Sequence, residues 1–430
     1  MLKAGFARLD MTPPLGSPIA GYFHIREMQG ILDPLQLNCL ALTVGEEKLV
    51  IITADLMAIG IARCREIAAA VEARTGVPAS AVIVQALHQH TAPYITEVKD
   101  PINISDGAYH DTFMAKAADV AVLALADAEE ATLSVAEGDI PAPVSFVRRY
   151  WMKSGIVETN PGFSRAEEID RPCDEPDNTV HLLRFKREKG DIALVNFACH
   201  PDVIGGHFVS ADWPGFVRRI MEAELPGTSC IFCNGFQGDS NHFHFTSGVR
   251  KSGYGHSEYM GTMVAKGALA LWDKTAPMEV NSVGAKVEAV YTRTRLDGIE
   301  DYEKCKAWYD DMEAGKFDYD PHITEKAANR RVIRLRNDPI FRPVVVSAAH
   351  IGDVLLAGLS GEPFTYYIRA VKALNPDKML LTLCIAGGYS GYFPTAKAFD
   401  EGGYEATASP FTPAVEGEIV SAFERLMKEQ

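Results

Sequence analysis

Ser80-Ala81-Val82-Ile83-Val84-Gln85-Ala86-Leu87-His88-Gln89-His90 is an apolar, β-branched run that stops on two histidines one residue apart. A run of this length and composition reads as a strand buried on both faces, the kind found in parallel sheets. Upstream, 49–55 has the same character, and the stretch 61–73 between them, rich in Ala, Arg and Glu, suits a helix. Downstream, 111–130 reads as a long alanine-rich helix, 192–198 as a strand running into His200, 213–225 as a helix and 229–234 as a further strand. A charged, helical segment at 301–337 separates these from strands at 344–350, 354–359 and 379–386. Strand, helix and strand in alternation predict an α/β fold: a mixed β-sheet core with flanking helices and a site at the strand ends. One domain over 1–430 is expected, with possible sub-blocks 1–290 and 291–430; no repeat of 20 to 50 residues is visible. The Pro-, Asp-, Glu- and Gly-rich stretch 160–178 reads as a surface loop or lid.

The formal net charge is -15, which sets the chain against phosphate backbones and anionic lipid. Neither nucleic acid nor a stable membrane association is therefore expected, and no apolar run is long enough to span a bilayer. Met1-Leu2-Lys3-Ala4-Gly5 lacks the apolar segment of a secretory signal, so the expected compartment is the cytoplasm. Eight irregularly spaced cysteines suit that compartment, and Cys230-Ile231-Phe232-Cys233, with no second pair to complete a zinc knuckle, reads as small core residues. The expected partner is a small-molecule substrate. Nothing in the sequence fixes the number of subunits.

The 12 histidines are few enough for their placement to carry information. Side chains at i and i+2 of an extended chain share a face, so His88 and His90 can address one ion or one substrate. His200 also sits where an apolar strand ends, just before Pro201. Each site alone is equally explained by polar residues capping a strand. Two separate strands ending in histidine favour a metal, since neutral imidazole is the commonest ligand of open catalytic zinc sites. Three more segments have the look of a site. Gly235-Phe236-Gln237-Gly238-Asp239-Ser240-Asn241-His242 combines glycines that allow close backbone approach with polar groups. Glu362 lies just past the strand 354–359, and Gly387-Gly388-Tyr389-Ser390-Gly391-Tyr392 follows the strand 379–386. His207, Asp212, His242 and His244 add polarity that suits a small, hydroxyl-rich or charged substrate.

Read as blocks in order, the chain resembles the catalytic domain of the neutral/alkaline, non-lysosomal ceramidases. The blocks are Ala4-Gly5-Phe6-Ala7-Arg8-Leu9-Asp10-Met11-Thr12-Pro13-Pro14, Gly21-Tyr22, Asp33-Pro34-Leu35, Leu87-His88-Gln89-His90-Thr91-Ala92-Pro93, Asn196 to Pro201 and Ser210 to Gly215. The resemblance implies one catalytic zinc ion held by His88, His200, Glu362 and Tyr389. It also implies that His90 and Arg148 face the substrate carbonyl. Zinc would supply an activated water near neutral pH and a polarised carbonyl. Ceramide hydrolases of the family carry a serine in a Gly-Asp-x-Ser-Pro-Asn segment; the stretch here is Gly238-Asp239-Ser240-Asn241-His242, with Asn241 at the serine position. The expected catalytic set is thus His90, Arg148, Asp239 and Asn241. The expected reaction is hydrolysis of a small soluble amide, or of a related ester, lactone or glycoside. Ceramide hydrolysis, a non-hydrolytic metal enzyme on the same site, and a binding protein without activity are the alternatives.

Overall fold

Strands that are apolar on both faces must be covered on both, and the chain solves this problem three times with one topology. The computed structural model describes residues 1–24, 26–96, 107–247, 250–317, 321–335 and 340–428. In the first unit β1 (Leu2–Asp10), β2 (Gln36–Val44) and β3 (Glu47–Ala54) pair antiparallel. Helix α1 (Ile61–Thr75) then crosses to β4 (Val82–Ala86), which runs parallel to β3, and α2 (Gly107–Asp127) packs back on β1 and β2. The second unit repeats this with β5 (Thr132–Asp139), β6 (Thr179–Lys186), β7 (Ile192–Phe197), α3 (Asp212–Glu224), β8 (Ser229–Asn234) and α4 (Tyr254–Leu271). The third uses β9 (Val283–Arg293), β10 (Phe341–Ile351), β11 (Val354–Leu359), α5 (Tyr366–Lys372), β12 (Met379–Cys384) and α6 (Val415–Lys428). The mixed sheet anticipated from the sequence is therefore three mixed sheets.

Alternation along the antiparallel strands sorts their side chains between two cores. Leu40 and Leu42 of β2, Leu183 and Phe185 of β6, and Ala349 and Ile351 of β10 meet in one cluster common to all three sheets. Cys39 and Ala41 of β2 face the other way, into a cluster that holds Ala117 and Ala121 of α2. Each fully buried leucine contributes about 1.5–3 kcal/mol relative to an exposed one, so the shared cluster holds the sheets together. Their parallel strand pairs are stitched end to end by buried amides. Gln85 on β4 donates to the carbonyls of Asn234 and Cys384 at 2.7 and 2.8 Å. Asn196 on β7 donates to those of Cys233 and Thr382, both at 2.9 Å. The carboxyl ends of the parallel strands are thereby drawn to one place.

In each unit the connection between the first two strands (11–35, 140–178 and 294–340) is the long one. The second contains the 160–178 stretch, which is not a free loop: Ile169–Pro172 pairs with Arg149–Met152 in a small three-stranded sheet with Val157–Thr159. The third holds two helices, Tyr302–Glu313 and Ile323–Leu335, where a single charged helical segment was expected; its Asn337 lies outside the described residues. The sub-block boundary expected between 290 and 291 falls inside β9. Cys230 and Cys233 are buried and unbonded, and burial pushes the Cys230 thiol up to about 12. Among the described residues no helix is long and apolar enough to cross a membrane.

Gly5 marks the closest contact between α2 and its sheet. A Cβ there would lie 2.0 Å from the carbonyl oxygen of Ala124 on α2, so the helix backbone rests directly on the strand. Overpacking of this kind costs about 1–3 kcal/mol. Gly5→Ala is expected to lower the urea unfolding midpoint by a corresponding amount; an unchanged midpoint would show that α2 can move away freely.

Candidate metal centre

Each of the three units delivers polar side chains from its strand ends to the point where the sheets meet. His88 follows β4 by two residues and takes φ 77°, a conformation uncommon for any residue but glycine. The extended geometry expected to align His88 with His90 is thus absent. A left-handed turn, held by the His88 amide donating to the Leu56 carbonyl at 2.8 Å, brings the two rings together edge to face at 4.9 Å instead. His200 comes from the end of β7, Glu362 from just past β11, and Tyr389 from the loop after β12. His88, His200 and Glu362 are each about 1% exposed or less.

The tautomers of the first two histidines follow from their partners. Nδ1 of His88 lies 2.8 Å from the carbonyl oxygen of Met57, and Nδ1 of His200 lies 3.2 Å from that of Gln237. A carbonyl only accepts, so both Nδ1 atoms carry a proton, and the Nε2 atoms are the ones turned toward Glu362. Those two Nε2 atoms are each 3.3 Å from the same oxygen, Oε2 of Glu362. Oε2 and the His200 Nε2 have no hydrogen-bond partner among the described residues. Burial pushes Glu362 up, but His88 and Arg148 hold it below the usual carboxylate value, so it is ionised. Burial, then Arg148, holds His200 well below the usual imidazole value, so it is neutral. Two imidazole nitrogens converging on an ionised carboxylate oxygen make the kind of donor set that holds a divalent cation. The donors present therefore fit a divalent metal.

Around this centre sit the other expected residues. Tyr389 donates its hydroxyl to the second Glu362 oxygen at 2.8 Å, and burial followed by Glu362 keeps it a phenol. His90 places Nε2 3.4 Å from that of His88 and Nδ1 3.4 Å from Asp202, so His88, His90 and His200 form a buried trio able to hold a metal. Asp202, two residues past His200, also accepts from the Tyr22 hydroxyl at 2.7 Å. The sequence reading missed it, although its position after Cys199-His200-Pro201 was a usable signal. Arg148 donates to Glu405 at 2.6 Å and to the Gly238 carbonyl at 2.8 Å, which fixes its guanidinium against the Tyr392 and Tyr404 rings. Burial works against its charge, but Tyr392, Glu405 and Glu362 more than restore it. Glu405, which also accepts from Thr159, is a second missed residue.

Asp239 and Asn241 do not join the cluster. Asp239 accepts from the Thr365 amide at 2.7 Å, at the start of α5. Asn241 bridges loops, donating to Asn160 at 2.8 Å and accepting from the Phe243 amide at 2.9 Å. The glycines beside them serve packing rather than a ligand: a Cβ on Gly238 would lie 2.3 Å from the Glu362 carbonyl oxygen. Asp212 holds the amides of Val203 and Ile204 and the Ser257 hydroxyl. His207 lies beside the Glu27 carbonyl, His244 stacks on Phe146, and His242 lies against Phe243 and His256. These polar residues build the frame.

Three mixed sheets with a histidine and carboxylate cluster at their common strand ends define a class of α/β proteins with a buried centre that could hold a metal. The fold is that of the ceramidase family. Neutral ceramidase from Pseudomonas aeruginosa matches with a TM-score of 0.75 over 99% of this chain and 74% of that chain, at 16% identity. A ceramidase complexed with C2 matches with a TM-score of 0.73 over 100% of this chain and 75% of that chain, at 15% identity. No protein-family model matches the chain, and no curated protein does.

Proposed function

We propose that this chain is a cytoplasmic zinc-dependent hydrolase that cleaves an amide bond in a small soluble substrate. The observation that carries the reading is the convergence of the His88 and His200 Nε2 atoms on Oε2 of Glu362, three side chains each about 1% exposed or less. His88, His200 and Glu362 would hold the ion, with Tyr389 completing the set or orienting Glu362 through its hydroxyl. A zinc ion there would supply Lewis-acid polarisation and would lower the pKa of a water to about 7. His90, whose Nδ1 lies 3.4 Å from Asp202, would take a proton from the attacking water and pass it to the leaving nitrogen. Arg148, held by Glu405, would stabilise negative charge developing on the carbonyl oxygen. Asn241, bonded to Asn160, takes no part.

Ceramide hydrolysis is the second reading, and it draws support from the ceramidases that share the fold. Heavy-oxygen water separates the alternatives. Zinc-loaded protein is expected to release acid carrying one solvent oxygen from small N-acyl compounds, and to leave short-chain ceramide uncut. Turnover of ceramide alone would overturn the small-substrate reading, and product without solvent oxygen would exclude hydrolysis.

A further inference from the structure

The face of the first unit's sheet that builds the shared core changes character toward the metal centre. Leu40 and Leu42 of β2, Ile51 of β3 and Ile83 of β4 belong to that core. Alternation puts Asn38, Thr53 and Gln85 on the same face of the same strands, one step nearer the strand ends that lead to His88. They form a row in which Asn38 lies opposite Thr53 and Thr53 opposite Gln85, and all three are fully buried. Asp55 and Gln89 continue this polar surface toward Arg218 on α3 of the second unit.

Each amide in the seam is oriented by one set of bonds and has a group left over. Arg8 Nε only donates and lies 2.6 Å from the Asn38 oxygen, so the Asn38 nitrogen faces away with its protons unused. Gln85 Nε2 serves the Asn234 and Cys384 carbonyls, and Gln89 Nε2 serves Asp55 and the Ala211 carbonyl at 3.3 Å. What remains is three donors, two acceptors and a hydroxyl that can be either. The donors are Asn38 Nδ2 with Arg218 Nε and Nη1, the acceptors are Oε1 of Gln85 and of Gln89, and the hydroxyl is that of Thr53. None of these six atoms has a hydrogen-bond partner among the described residues.

They could have satisfied one another. Thr53 stands between Asn38 and Gln85, while Gln89 and Arg218 hold the same Asp55 carboxylate. Buried polar groups left unbonded are costly, so neighbours standing too far apart to bond directly call for a bridging molecule. That molecule is neutral, because Asp55 already answers Arg218 at 2.6 Å and Glu222 answers Arg8 at 2.7 Å. It must also both donate and accept. Water meets both conditions, and at about three hydrogen bonds per buried water six atoms require two molecules.

We propose that the seam between the first two units is a hydration site holding at least two internal water molecules, one seated on Thr53 between Asn38 and Gln85 and one between Arg218 and Gln89. They join the first unit's sheet to α3 of the second, behind the residue that separates His88 from His90. The site stands whatever reaction the metal centre performs.

A crystal structure of the full-length chain, grown in bromide, reads the site directly. Two peaks without anomalous signal are expected, one within hydrogen-bonding distance of Thr53 Oγ1 and one within that distance of Arg218 Nε or Nη1. Thr53→Val keeps the shape of the side chain and removes the hydroxyl, so it should lose the first peak, keep the second and lower the urea unfolding midpoint. Thr53→Ser should keep both peaks. Bromide signal at either position would make the ligand an anion and overturn the proposal, as would the absence of either peak from the unaltered protein. A Thr53→Val midpoint that holds or rises overturns it too, because a buried hydroxyl that no water reaches is better replaced by a methyl group.

Discussion

His200→Ala is expected to strip the protein of tightly held metal and to reduce kcat/KM by about three orders of magnitude, with the fold preserved. The size follows from what a metal contributes, several kcal/mol of charge stabilisation at about 1.4 kcal/mol per factor of ten. The fold should survive because among the described residues the His200 side chain makes one hydrogen bond to the frame, Nδ1 to the Gln237 carbonyl, and the surrounding strands are tied independently through Asn196 and Gln85. Metal analysis on the purified variant, with near-ultraviolet circular dichroism to confirm packing, reads both halves of the claim. Full metal occupancy in the variant would remove His200 from the ligand set.

Asp55→Ala is expected to cost about 3–5 kcal/mol of stability, the largest loss for any single replacement considered. Asp55 is fully buried at the end of β3 and pairs with Arg218 of α3 at 2.6 Å, itself 1% exposed. The same carboxylate accepts from the Gln36 amide at 2.7 Å and from the Gln89 side chain at 2.9 Å, so it joins two units and holds the residue between the two histidines. Without it, Arg218 is a buried cation with no counter-charge, which is the expensive state. Adding Arg218→Met to Asp55→Ala should therefore recover part of the loss. Equilibrium urea unfolding gives the numbers, and a cost below about 1 kcal/mol for Asp55→Ala would mean that bulk water reaches Arg218.

The strands that a reader of the sequence finds are those buried on both faces. The parallel strands β4, β7, β8, β11 and β12 are continuous apolar runs and lie within a residue or two of their expected positions. The antiparallel strands β1, β2, β5, β6 and β9 went unread, because alternation leaves polar residues in them and their partners are remote in sequence. With those strands hidden, the threefold repetition was hidden too: it lives in pairing order, while the three units share no visible sequence period. The strand-end positions of His88, His200 and Glu362 stand out in the sequence, since a polar residue after an apolar run is conspicuous, whereas Tyr389 enters only through the family resemblance. Asp239 and Asn241 looked equally conspicuous, but the glycines beside them serve contact with the Glu362 strand. Arg330 and Arg334 read as one more charged helix; only tertiary placement turns that face toward a cavity.

The repetition of the unit has a further consequence for how such a centre can change over evolutionary time. Because each sheet contributes its own strand ends, one donor can be exchanged without rebuilding the sheets that carry the others. The first two units contribute imidazoles, and the third contributes a carboxylate and a phenol. The long connection of each unit varies separately again, offering Tyr22 in the first, Arg148 in the second and a pair of helices, the second of them basic, in the third. A lineage could therefore keep the same metal chemistry and swap its clientele by remodelling one connection alone.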